Sequence, residues 1–169
     1  MKKFTAILSM MFLLTMTAGA QKFALIDMEY ILEKIPAYER ANEQLNQLSK
    51  KWQAEVESVS QEAMTLYKNY QNEALFLSDE QKTKKEEEIV AKEDAAKELK
   101  RKYFGPEGEL FKKRESLMAP IQDEIYEAVK TISEAKGYSA VIDRSSAGSM
   151  IYASPKIDIS NEVLQKMGY

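Results

Sequence analysis

The sequence predicts an α+β chain that is mostly helical, with a long antiparallel helical hairpin inserted in a small β-strand body. Three observations lead there. From Ala37 to Phe104 runs a stretch of 68 residues without proline or glycine, which only helix uses comfortably. Within it Leu45, Leu48, Trp52, Val56, Val59, Ala63, Leu66, Tyr70, Ala74 and Leu77 recur at a mean spacing of about 3.6, the period of one helix face. Short runs rich in branched residues lie on both sides of this region, at opposite ends of the chain.

The 169 residues include neither cysteine nor histidine. A disulfide framework, a thiolate nucleophile, an imidazole base and a soft metal site are thereby excluded, so zinc fingers, iron–sulfur centres and Ser-His-Asp hydrolases fall away. No cofactor and no metal are expected, and the chain is not expected to be an enzyme.

Residues 1–20 read as a cleavable export signal: basic Lys2 and Lys3, an apolar run from Ala6 to Met16, and small residues in Ala18-Gly19-Ala20 before Gln21. Loss of Lys2 and Lys3 from the 24 basic residues leaves 22 against 27 acidic ones, a net −5. The expected product is mildly acidic and exported.

The elements follow in order. Phe23-Ala24-Leu25-Ile26 reads as a strand ended by Asp27. Pro36 suits a helix's first turn, where a missing amide hydrogen costs nothing. One continuous helix over the 68 residues would be roughly 100 Å long, and Ser78-Asp79-Glu80-Gln81 offers a reversal because it forms a capping box. The hairpin tip is therefore placed at Leu77, Ser78 and Asp79. The returning arm is polar at first: between Asp79 and Glu98 its only large apolar residues are Ile89 and Val90. It does not match Leu66, Tyr67, Tyr70, Phe76 and Leu77 opposite, so those residues need another cover or stay exposed.

Phe104-Gly105-Pro106-Glu107-Gly108 breaks the return. Helical spacing resumes with Leu110, Leu117, Ile121, Ile125, Ala128 and Ile132, with a kink expected at Pro120 and a left-handed cap at Gly137. Ala140-Val141-Ile142, ended by Asp143, reads as a second strand. Met150-Ile151-Tyr152 reads as a third, joined to the second by a hairpin loop over residues 144–148. A short helix follows Asp158 through Val163, Leu164 and Met167. The organisation is thus a leader at 1–20, a β-rich body at 21–36 and 137–169, and an arm at 37–136 with its tip near 77–79 and a break near 105–108. Body core candidates are Phe23, Leu25, Ile26, Val141, Ile142, Ile151 and Tyr152. So few short strands bury little, which makes the body an expected assembly interface.

Two constellations merit a chemical reading. Asp27 and Asp143 both end strands and are the only carboxylate pair so placed, but a capping role suits each better than catalysis, because no third group positions them. Lys97, Lys100, Arg101, Lys102, Lys112, Lys113 and Arg114 form a basic cluster around the break. It reads either as a solvated helix face or as a contact for a lipid phosphate or an acidic segment.

The strand Phe23-Ala24-Leu25-Ile26-Asp27, the charged helical hairpin, Tyr138-Ser139-Ala140-Val141-Ile142-Asp143 and the tail Asp158-Ile159-Ser160-Asn161-Glu162-Val163-Leu164 occur in an order that resembles the Skp/OmpH family of periplasmic chaperones. The resemblance covers essentially the whole chain after the leader. It implies a homotrimer in which the strands form a central barrel and the arms surround a cavity. It implies a periplasmic, ATP-independent holdase for unfolded outer-membrane β-barrel proteins. The net charge of −5 departs from the strongly basic member of the family, so at most a weak membrane-surface or lipopolysaccharide contact is expected, and no nucleic acid. Tyr67, Tyr70 and Phe76, with Tyr103 and Phe104 nearer the body, are then candidates for client contact; packing within the hairpin or against the body is their alternative role. The other class of function is a structural coiled-coil spacer or adaptor of the cell envelope.

Overall fold

The computed structural model describes residues 22–148 and 150–169; the expected leader lies outside the described residues. In chain order the elements are β1 (Lys22–Ile26), α1 (Met28–Glu33), α2 (Pro36–Glu73), a 3-10 turn (Ala74–Phe76), α3 (Asp79–Phe104), α4 (Glu109–Lys136), β2 (Tyr138–Asp143), a second 3-10 turn (Pro155–Ile157) and α5 (Ser160–Met167). They fall into two compact units. One is Ile35–Asp123; the other holds the described residues up to Lys34 together with Glu124–Tyr169.

In the second unit β1 and β2 pair in parallel, with Phe23 opposite Ala140, Leu25 opposite Ile142 and Ile26 opposite Asp143. Strands drawn from the two ends of the chain therefore do meet in one small sheet. It has two strands, and the expected third is corrected. Met150, Ile151 and Tyr152 form no strand and are exposed, and residues 144–148 make no hairpin. The free edge of β1 is occupied instead by the backbone at Asp158 and Ile159, whose amide donates to the Leu25 carbonyl at 2.8 Å.

Leu25 and Ile26 are buried, together with Ala24, Ile31, Ile125, Ala128, Ile132, Ile159, Val163 and Leu164. Val141 is half-buried. Phe23, Ile142, Ile151 and Tyr152 are exposed on this chain, so they do not belong to its own core. Helix α1, which six residues are too few to announce by period, packs with α5; Tyr30 Oη donates to Asn161 Oδ1 at 3.0 Å. Gly137 ends α4 with φ +68°, a conformation that costs glycine nothing.

Asp27 and Asp143 serve as caps. Asp27 Oδ1 accepts from the Tyr30 amide at 3.0 Å and begins α1. Asp143 Oδ1 accepts from the Met28 amide at 3.1 Å and from Ser145 N and Oγ. Arg144 bridges Asp27 Oδ2 at 3.0 Å and Asp158 Oδ2 at 3.2 Å, and Ser160 Oγ accepts from the Asp27 amide while donating to Asp158 Oδ1. This network ties three separate segments through their backbone ends. Every carboxylate in it is occupied by donors, which is the opposite of a poised acid–base pair. Burial pushes the Asp143 carboxyl up, but the hydrogen bonds from Ser145, Met28 and Ser146 outweigh it and hold the group below its ordinary range.

Candidate binding surface on the helical hairpin

The unit Ile35–Asp123 is built on α2 and α3, which run antiparallel. Every position of the 3.6-residue series on α2 and the turn, from Leu45 to Leu77, is buried or half-buried. The reversal forms as the capping box requires: Ser78 Oγ accepts from the Gln81 amide at 3.3 Å, and the Ser78 amide donates to Gln81 Oε1 at 3.0 Å. Leu77 is half-buried, while Ser78 and Asp79 are exposed beside it. Helix α3 ends at Phe104 with Gly105 as its cap residue, and α4 continues unbroken through Pro120.

The polar return proves to have a seam. Lys82, Lys85, Ile89, Lys92, Ala96, Leu99 and Tyr103 are its buried and half-buried positions, alternating in steps of three and four as in a coiled coil. Lysines take three of those places. Their aliphatic stems cover apolar surface while the ammonium groups reach carboxylates, Lys85 to Glu73 at 3.5 Å and Lys92 to Glu62 at 2.6 Å. An apolar count misses this seam; a heptad count that admits lysine would have found it.

The candidate contact residues separate accordingly. Phe76 is 86% exposed and Tyr67 is 48% exposed. Tyr70 is half-buried, and its hydroxyl donates to Glu86, whose carboxylate raises the phenol's pKa. Phe104 is half-buried, edge-on to Tyr103. Tyr103 is corrected: it is 7% exposed, stacked on Trp52 and hydrogen-bonded to Glu55 at 3.0 Å, so it packs inside the hairpin instead of presenting a face. Two exposed apolar residues of α2 and the turn after it were not foreseen. Leu75 is 92% exposed beside Phe76, and Met64 lies open beside buried Ala63; both sit one position off the apolar stripe, which is the signal that marks them.

Around Met64 and Tyr67 the two arms leave a hollow of about 530 Å³, lined from α2 by Val56, Ser60, Ala63, Met64 and Tyr67 and from α3 by Glu93, Ala96, Lys97 and Lys100. A second hollow of about 750 Å³ lies at the break, where Arg101, Lys102 and Lys112 meet Glu98, Glu107 and Glu109. The basic cluster is thus divided. Lys97 is paired with Asp94 at 2.9 Å, which raises its pKa, and Lys112 lies 3.7 Å from Glu109. The Lys102 ammonium sits 5.2 Å from the centre of the Tyr103 ring. Lys113 and Arg114 line neither hollow. Interleaved carboxylates leave no uniform positive face there. Among the described residues no group of three or more metal-ligating side chains converges, and no helix is long and apolar enough to cross a membrane. The surface offers apolar contact with charges at its rim.

Comparison with known proteins places this architecture. Residues 22–167 match the family described as outer membrane protein (OmpH-like). The chain is 25% identical over 178 residues to a protein named chaperone protein Skp from Yersinia enterocolitica, covering 99% of each. It is likewise 25% identical to the chaperone protein Skp of Photorhabdus luminescens, again over 99% of both chains. A solved OmpH-like chain from Caulobacter crescentus has the same fold, with a TM-score of 0.69 at 12% identity over 88% of this chain and 85% of that one. By its sequence over nearly all of the described residues, this chain belongs to the OmpH-like outer membrane protein family.

Proposed function

We propose that this chain is an exported, ATP-independent holdase that acts in the periplasm as a homotrimer and keeps unfolded outer-membrane β-barrel proteins soluble between its helical arms. The observation that carries the proposal is the apolar surface left open on the hairpin at Met64, Tyr67, Leu75 and Phe76, in a family whose relatives include proteins named chaperone protein Skp. An unfolded client offers many weakly apolar segments. Several contacts of about 1 kcal/mol or less, made together on mobile arms, hold it tightly while each one exchanges. Self-association is supported by the body: Phe23, Ile142, Ile151 and Tyr152 remain uncovered on the single chain.

Light scattering of the mature protein, alone and with a urea-unfolded outer-membrane barrel protein diluted into it, tests the proposal. The expected result is a trimer that forms a soluble complex and suppresses turbidity, with suppression weakened by Tyr67→Ser and Phe76→Ser together while the trimer persists. A monomer or dimer that leaves the client to aggregate would return the chain to the class of envelope spacers.

A further inference from the structure

Oxidants have few places to act on this chain. It has no cysteine and no histidine, so the thioether of methionine is the softest nucleophile available to a two-electron oxidant. Five methionines follow the expected leader: Met28, Met64, Met118, Met150 and Met167. Their sulfur lone pairs react only where the oxidant reaches them from water, which makes exposure decisive. Met28, Met118 and Met167 are half-buried. Met150 is 37% exposed and Met64 is 51% exposed.

Met64 is also the one of the five that lines the hollow between the arms, beside Val56, Ala63 and Tyr67 of α2 and opposite Ala96, Lys97 and Lys100 of α3. The seam position next to it is taken by Ala63, which is buried. The Met64 thioether therefore belongs to the open apolar wall and not to the packing that joins the two helices. A change of its polarity alters the surface while leaving the hairpin folded.

We infer that Met64 is an oxidation site through which hydrogen peroxide weakens the grip of the hairpin on an apolar client segment. A sulfur lone pair attacks one peroxide oxygen; the S–O bond forms as the O–O bond breaks, and the departing hydroxide takes the proton of the transferred oxygen and leaves as water. The thioether loses two electrons and the peroxide gains them. The sulfoxide oxygen is a hydrogen-bond acceptor that holds water, and an apolar segment must strip that water to lie on the wall. The change is reversible, because methionine sulfoxide reductases return the thioether. The inference rests on the holdase proposal and adds a condition under which that activity falls; the exported location proposed above puts the chain outside the reducing cytosol.

Two measurements on the full mature protein test it. In the first, the protein is exposed to hydrogen peroxide for timed intervals, folded or in urea, and its methionines are followed by mass spectrometry of peptides. Met64 should be oxidised about threefold or more faster than Met28, Met118 and Met167 in the folded protein, and at the same rate as they are in urea. In the second, the affinity for a labelled, unfolded outer-membrane barrel protein is measured before and after treatment. Peroxide should weaken binding about threefold or more, and a methionine sulfoxide reductase should restore it. Met64→Leu, whatever its own starting affinity, should show no change on treatment, whereas Met150→Leu should show the same loss as the parent. Equal oxidation of Met64 and the half-buried methionines in the folded protein, or a Met64→Leu protein that loses as much affinity as the parent, overturns the inference and leaves the holdase standing. Absence of client binding before treatment rejects the holdase and the inference with it.

Discussion

Tyr103 lies face to face on Trp52, with 4.9 Å between ring centroids and 4° between the ring planes. The pair joins α3 to α2 near the end of the hairpin closer to the break, and the Tyr103 hydroxyl extends the contact to Glu55. It is an aromatic contact across the seam and fixes the register of the two arms at that level. Trp52→Ala should destabilise the hairpin by about 2–4 kcal/mol. A urea titration followed by far-ultraviolet circular dichroism measures the change; a midpoint within error of the parent would show that the stack adds nothing.

The lysines in the seam make the tip half softer than the half toward the break. Each stem seals the interface less completely than a leucine, and its exposed ion pair contributes only about 0.5 kcal/mol. Lys85→Leu with Lys92→Leu should therefore raise protection of the α2 and α3 amides near residues 66–92 from hydrogen exchange. Stiffer arms should also take up large clients less readily. Exchange as fast as in the parent would mean that the lysine stems already seal the seam.

At the break, a side chain on Gly105 has no room: an added Cβ would lie 2.4 Å from the Arg101 carbonyl oxygen. Its φ is −64°, so the constraint is space and not handedness. Gly105→Ala should cost about 1–3 kcal/mol and open the last turn of α3. Chemical shifts of Arg101 to Phe104 report the displacement, and unchanged shifts would rule it out.

Asp143 should make the body sensitive to acid. Because the folded state holds Asp143 below its ordinary value of 3.8, the charged form stabilises folding. That contribution is complete above the unfolded pKa and is lost as pH falls through the lower, folded one. Asp143→Asn should lower the melting temperature at neutral pH and flatten its fall below about pH 4. Parallel melting curves for the two proteins across that range would place the acid sensitivity elsewhere.

Much of this structure was legible in the sequence where one period or one cap decides the outcome. The α2 stripe, the Ser78 capping box, the Gly137 cap and the meeting of the two chain ends in a sheet all follow from local rules that tertiary packing did not override. The third strand was read from branched residues alone, whereas the extra strand-like contact is made on β1 by Asp158 and Ile159, which read locally as the approach to a helix. Tyr103 misled for a related reason: beside a glycine-rich break an aromatic looks exposed, and only the register of the opposite arm brings Trp52 under it. The seam lysines were hidden because their stems pack while their charges dominate any hydropathy average.

The parallel pairing of β1 with β2 also sets an order of events. Asp27 and Arg144, joined by a salt bridge at the strand ends, are 117 positions apart, and closing a loop of that length costs about 4 kcal/mol in chain entropy. Helical contacts between α2 and α3 are closer in sequence and form sooner. A chain emerging from its N-terminus thus carries β1 unpaired, its Phe23 to Ile26 run bare, until Tyr138–Asp143 has followed. During that interval the newborn protein presents a lone apolar strand to its surroundings, and any truncation before Tyr138 makes the condition permanent.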